Sequence, residues 1–153
     1  MNGTASGTGP VRALVALLLF GAVSALAGGI GIAGFGVGAE YLARTPFPSL
    51  LIPGLILILV VGGTQLAAAV LLIAKKASAL LLAGVAGFGM VIWIFVELVL
   101  MAEYSWLQSL YFGLGILELV LVYALLGIAA PIVGRWPVID SPDSTGTKPG
   151  AQR

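Results

Sequence analysis

Four apolar stretches dominate the chain, and each is long enough to cross a lipid bilayer as a helix. They cover residues 11–39, 51–74, 79–102 and 106–130, and a helix needs about 20 apolar residues to span a hydrocarbon core of about 30 Å. Hydrophobic residues make up 60% of the 153 residues and charged residues only 8%, which is typical of integral membrane proteins. Because the connections are short, we expect an all-α membrane protein, an antiparallel bundle of four transmembrane helices.

The polar residues that flank the stretches predict an orientation. Six basic residues fall on one side of the predicted bundle and only Arg44 on the other, and basic residues collect on the cytoplasmic side of membranes. Both termini are therefore expected in the cytoplasm. Residues 1–10 and 136–153 have too little apolar surface to order themselves and are expected to be disordered tails, leaving 11–135 as the transmembrane domain. The six basic residues are Arg12, Lys75, Lys76, Arg135, Lys148 and Arg153.

The composition also excludes several kinds of chemistry. The chain has no cysteine and no histidine, so it lacks thiolate ligands, the commonest imidazole metal ligand and the usual base of a catalytic pair. We expect no catalytic residues, no metal and no cofactor. Nucleic acid is not an expected partner either, because no basic patch lies outside the membrane flanks.

Small residues recur along the first stretch. Residues 29–34 match the spacing G-x-G-x-x-G, but a dinucleotide site needs a strand before these glycines and an exposed helix start after them. The spacing instead predicts faces of small residues that let helices approach closely in lipid. We expect two such packing faces, one formed by Gly21, Ala25 and Gly29 and one by Gly34 and Gly38.

Three polar side chains lie within the apolar stretches. Counted from the predicted outer ends at ~1.5 Å per residue, Glu97 lies about 7 Å deep, Glu118 about 18 Å and Gln65 about 20 Å. Helical spacing places Trp93 on the face of Glu97, and Tyr111 on the face of Glu118. The simplest arrangement turns these faces inward, so the five residues are predicted to line a ligand cavity reached from outside.

Each of the three polar residues also has a plainer interpretation. An amide such as Gln65 commonly joins helices by a hydrogen bond, and Glu97 is near enough to the interface to be hydrated. Glu118 lies near the middle of the bilayer, and no stretch offers it a cationic partner. A carboxyl at this depth indicates a site that exchanges protons, binds a cation or hydrogen-bonds a ligand.

Four short segments are distinctive: PFPSLLIPGL at 46–55, IWIFVE at 92–97, SWLQ at 105–108 and YFG at 111–113. Together they resemble a group of small four-helix bacterial membrane proteins that are DoxX-like in general layout. The resemblance implies a four-helix fold in the bacterial plasma membrane, and it implies no particular activity.

Three functional hypotheses follow. The chain binds a small ligand or lipid in an outward cavity; or it is a proton-coupled transporter that works as a homodimer through the glycines of the first helix; or it is an accessory subunit of a larger membrane complex. The first two require a hydrated path to Glu118, whereas the third predicts a closed, protein-packed carboxyl.

Overall fold

The computed structural model describes residues 8–101 and 104–127. These ranges are helical with short connections and contain no strand. Four helices are long and apolar enough to cross a membrane, which confirms the predicted all-helical class. They are α1 (Thr8–Phe35), α2 (Leu51–Ile73), α3 (Ala79–Met101) and α4 (Trp106–Leu125), and a 3-10 helix, Ala39–Arg44, lies between α1 and α2.

The first helix is displaced from its predicted bounds of 11–39. It begins at Thr8, within the segment assigned to the N-terminal tail, and ends at Phe35. Gly36 follows with φ 71°, a left-handed conformation that ends a right-handed helix. The apolar pattern continues past this glycine, so hydropathy alone overshoots the end.

The last helix also stops earlier than predicted. It ends at Leu125 rather than at residue 130, and Gly127 has φ 68°. Residues 1–7 and 128–153 lie outside the described residues, and with them the predicted C-terminal tail and most of the predicted N-terminal one. The second and third helices agree with the predicted spans to within a residue, which is the ordinary uncertainty of helix ends.

Small side chains fill the core next to the connection between α2 and α3. Four alanines, at 68, 69, 83 and 86, are fully buried there. In lipid, helices associate by close packing rather than by exclusion of water, and small residues shorten the distance between their backbones. The buried cluster consists of Leu14, Leu18, Ala68, Ala69, Leu72, Ala79, Ala83, Ala86 and Val122.

Two pairs of glycines hold backbones together. A Cβ placed on Gly54 would lie 2.7 Å from the Cβ of Ala33 and 2.8 Å from the carbonyl oxygen of Gly29, so α1 and α2 touch through their main chains there. A Cβ on Gly115 would lie 3.2 Å from the carbonyl oxygen of Gly87, and one on Gly87 would lie 3.3 Å from that of Gly115. This second crossing joins α3 to α4.

The predicted glycine faces of the first helix have different outcomes. The Gly21, Ala25 and Gly29 face packs against α2: a Cβ on Gly21 would lie 3.1 Å from the Cδ of Gln65, and Ala25 is 5% exposed. The expectation for Gly34 and Gly38 is wrong within this chain. A Cβ on Gly34 would meet only its own helix, and Gly38 lies beyond the end of α1 with φ 82°.

Candidate functional site

A hydrogen bond joins the two deepest polar side chains. The Nε2 of Gln65 on α2 donates to the Oε2 of Glu118 on α4 at 2.9 Å. Both side chains are fully buried. The sequence count of depth placed them within about 2 Å of each other at a rise of ~1.5 Å per residue, and the structure places them in direct contact.

This buried pair leaves two polar atoms without a partner. Within the described residues, neither the Oε1 of Gln65 nor the Oε1 of Glu118 accepts a hydrogen bond. Buried polar atoms are usually satisfied, because each unsatisfied one costs about 1–3 kcal/mol. Both atoms are acceptors when Glu118 is ionised, whereas a proton on Glu118 would add an O–H donor to the pair.

A π-helical segment, Leu57–Gly62, lies one turn before Gln65 in α2. The N–H of Gly63 bonds to the carbonyl of Ile58, five residues back, as the wider π turn requires. The hydroxyl of Thr64 adds a hydrogen bond of 2.6 Å to the carbonyl of Val60. The wider turn is followed by Gln65 on the buried face of α2. The periodicity of apolar residues in the sequence does not reveal this π-helical segment.

A cavity of about 600 Å³ lies beside this buried pair, and it includes three of the five predicted ligand residues. Exposed Glu40 and Ser105 line it, so it opens where α1 connects to α2 and α3 connects to α4. Its wall is mostly apolar, and its aromatic and acidic members are Glu40, Tyr41, Trp93, Glu97 and Tyr111.

Trp93 and Glu97 occupy successive turns of α3, where the spacing of four residues puts them on one face. Both are half-buried and line the cavity. Tyr111 reaches it from the first turns of α4, and its ring stacks on Phe20 of α1 at a centroid distance of 6.4 Å. The structure thus brings these three predicted residues together around one space.

The cavity does not extend to Gln65 and Glu118. Gly21 and Met90 form the part of its wall farthest from the mouth, the floor, and Gly21 lies against the amide of Gln65. A Cβ on Gly21 would be 3.1 Å from both the Gln65 Cδ and the Met90 Cε. The prediction that Gln65 and Glu118 line the cavity is therefore wrong, because neither residue is part of its wall and both side chains are 0% exposed.

Sequence reasoning missed the contribution of Gln108, which is 5% exposed and lines the cavity. Its Oε1 accepts the N–H of Ser105 at 2.8 Å, while the Ser105 hydroxyl accepts the N–H of Leu107. This reciprocal capping box fixes the start of α4 at the cavity mouth. The spacing Ser-x-x-Gln at the head of an apolar run was a readable signal for it.

Comparison of the chain with protein-family models, curated proteins and solved structures gives no match. The resemblance to DoxX-like membrane proteins therefore stays a prediction. What the site can do is inferred from its own geometry: an apolar space of ligand size, with two carboxyl groups and three aromatic rings on its wall.

Proposed function

We propose that this protein is a multi-pass protein of the bacterial plasma membrane that binds a small amphipathic ligand or a lipid in its cavity. The helices form an antiparallel bundle with both termini and the Lys75–Lys76 turn in the cytoplasm. The cavity then opens on the outer side. Reporter fusions after Lys76 and after Arg44 should report opposite compartments, and a common compartment would overturn this topology.

The observation that carries the binding proposal is the cavity itself. A volume of about 600 Å³ falls within the usual range of ligand sites, about 300–1,000 Å³, which are mostly apolar with a few polar groups. Trp93, Glu97 and Tyr111 supply those groups. We exclude Gln65 and Glu118 from the ligand contacts because they lie beneath the floor.

The cavity also has an apolar edge on the side of the helices. Val23 on α1 is 65% exposed and Leu107 on α4 is 43% exposed, and both line the cavity. In a bilayer, such an edge would face lipid. An amphipathic molecule could therefore enter from the membrane with its apolar part first, which favours this class of ligand over a fully polar solute.

The packing also bears on the two alternative functions. A transporter centred on Glu118 needs water to reach that carboxyl, which is 0% exposed. Of the two small-residue faces predicted for the first helix, the one formed by Gly21, Ala25 and Gly29 is already packed on α2, so a homodimer would have to form through Gly34. The accessory-subunit alternative does predict a closed Glu118, but it does not account for an open cavity.

A cavity-filling variant tests the proposal. Ser24 lines the cavity, whereas Ala16 is an exposed residue of the same helix outside it. Ser24→Phe should remove small-molecule or lipid adducts seen by native mass spectrometry after extraction in mild detergent, and Ala16→Phe should retain them. Identical adduct spectra for the wild type and both variants would overturn the binding proposal.

A further inference from the structure

We propose that the ligand of this cavity carries a positively charged ammonium head on an apolar body. This inference rests on the proposed function and narrows it to one ligand class. Its first support is the charge of the wall. Glu40 and Glu97 both line the cavity, and no lysine or arginine is found among the described residues that do.

The position of Glu97 strengthens this argument. It lies within α3, in a segment apolar enough to cross a membrane, and it is half-buried. A carboxylate at such a position is poorly compensated unless a cation lies close to it. A bound ammonium group would provide that compensation, whereas an anionic head would add repulsion from Glu40 and Glu97.

Aromatic rings provide the second support. Tyr41, Trp93 and Tyr111 line the same cavity, each from a different segment of the chain. Ammonium groups bind over the faces of such rings, and the contact is worth about 0.5–2 kcal/mol depending on desolvation. Carboxylates together with several aromatic rings are a combination suited to an alkylammonium ion.

The wall also indicates which way the ligand lies. Glu40 is near the mouth, and Glu97 is one turn closer to the mouth than Trp93 along α3. The floor is formed by Gly21 and Met90, which present no charge. The ammonium head therefore lies at the level of Glu97, and the apolar body extends toward the floor or the lipid-facing edge.

An ammonium head could belong to a free amphiphile or to a zwitterionic lipid. A lipid head also brings a phosphate, and the described wall has no basic side chain to pair with it. The charge distribution thus favours the free cationic amphiphile. The shared chemistry in both cases is the ammonium group, and a suitable set of probes separates the two sources.

The experiment uses three probes with one alkyl chain: dodecyltrimethylammonium, dodecylphosphocholine and dodecanol. Their affinities are measured by calorimetry for the full-length protein in maltoside micelles, and each is expressed as the ratio of wild type to Glu97→Gln. This ratio cancels the partition of each probe into micelles. Glu118→Gln is the matched control, because it makes the same change outside the cavity.

We expect Glu97→Gln to weaken dodecyltrimethylammonium about tenfold, equivalent to about 1.4 kcal/mol, and to leave dodecanol within about twofold. Trp93→Leu should also weaken the ammonium probe selectively, through loss of the cation–π contact, and it serves as the second variant if Glu97→Gln unfolds. Glu118→Gln should change none of the three affinities.

The other outcomes separate the two proposals. Phosphocholine affinity equal to that of the ammonium probe, with the same loss in Glu97→Gln, supports an ammonium ligand and assigns it to a lipid head. Equal wild-type affinity for dodecanol and the ammonium probe overturns the ammonium inference while leaving a ligand cavity in place. Failure of all three probes to bind overturns the proposed function itself.

Discussion

The two membrane-embedded glutamates lie in contrasting surroundings. Glu118 is fully buried and accepts a hydrogen bond from Gln65 at 2.9 Å. Glu97 is half-buried and lines a cavity of about 600 Å³ together with Trp93. Both occupy helices that are apolar enough to cross a membrane, so their difference comes from what packs against them rather than from the helices that carry them.

This contrast shows that depth alone does not identify a binding site. An ionisable residue within a membrane is a functional candidate by default, and the deepest one is the most costly. Here the deepest carboxyl has an amide partner on a neighbouring helix and no access from the cavity. The shallower Glu97 faces open space and aromatic rings, so it is the stronger candidate for contact with a ligand.

The largest loss of stability should come from forcing α3 and α4 apart at their close crossing near Glu118. A Cβ on Gly115 would lie 2.9 Å from the Cγ2 of Val91, whereas one on Gly113 would meet nothing within 4 Å. Gly115→Leu should therefore lower the free energy of unfolding by about 2–3 kcal/mol through overpacking. Gly113→Leu, two residues away on the same helix, meets no such crowding. It should leave the free energy of unfolding unchanged or raise it by up to about 1 kcal/mol, because leucine has the higher helix propensity.

Unfolding in mixed micelles, titrated with a denaturing detergent, measures both variants. Equal stability of Gly115→Leu and Gly113→Leu would mean that α3 and α4 do not cross closely at Gly87. The closed surroundings of Glu118 would then lose their structural basis, and the contrast with Glu97 would fail.

A double-mutant cycle addresses the hydrogen bond of the buried pair. Gln65→Leu removes the only donor that the described residues offer to Glu118 and should destabilise the protein by about 1–2 kcal/mol. Glu118→Leu should cost a similar amount. The double variant should be less destabilised than the sum of the two, with a coupling of about 1 kcal/mol, because no unpaired polar group remains. Additive effects would show that the two side chains do not interact.

The two carboxyls should differ in their chemical accessibility. A water-soluble carbodiimide with an amine nucleophile should modify Glu97, which lines the open cavity, and leave Glu118, which is fully buried, unmodified. Peptide mapping by mass spectrometry gives the yield at each site, and denaturation supplies the control in which both react. Comparable labelling of Glu118 in the folded protein would reopen the hydrated-path hypotheses.

Hydropathy and helical spacing were sufficient to predict much of the fold from the sequence. Each apolar run is much longer than the local breaks at its ends, so four helices could be predicted and confirmed. Gln65 and Glu118 were counted to similar depth from the outer ends, but the hydrogen bond between them was not predicted. The exact helix ends could not, since Gly36 and Gly127 act through left-handed backbone conformations that apolar content does not reveal.

The cavity itself was harder to predict. Facing side chains can be inferred from spacing, but the gap between them depends on helix separation, which close crossings such as Gly29–Gly54 determine. The π-helical turn at Leu57–Gly62 also changes which residues of α2 face inward. For these reasons the five predicted ligand residues divided into a lining group and a buried pair.

The smallest expected effect lies at Gly21, which separates the two regions. A Cβ there would be 3.1 Å from the Met90 Cε and 3.2 Å from the Gln65 Oε1. Both atoms are at the far ends of flexible side chains, so they can move by a few tenths of an ångström. Alanine also gains about 1 kcal/mol of helix propensity over glycine, which offsets the crowding.

Gly21→Ala should therefore leave the free energy of unfolding within about 0.5 kcal/mol of wild type. It should also leave Glu118 unreactive toward the carbodiimide, because the floor stays closed. Adding Gln65→Leu tests whether the amide is the group that moves: the added methyl should then become neutral or stabilising. If Gly21→Ala alone lowers the free energy of unfolding by more than about 1.5 kcal/mol, Gln65 and Met90 cannot move to admit the methyl group. The packing around the Gln65–Glu118 pair and the packing of the cavity floor would then be rigidly coupled.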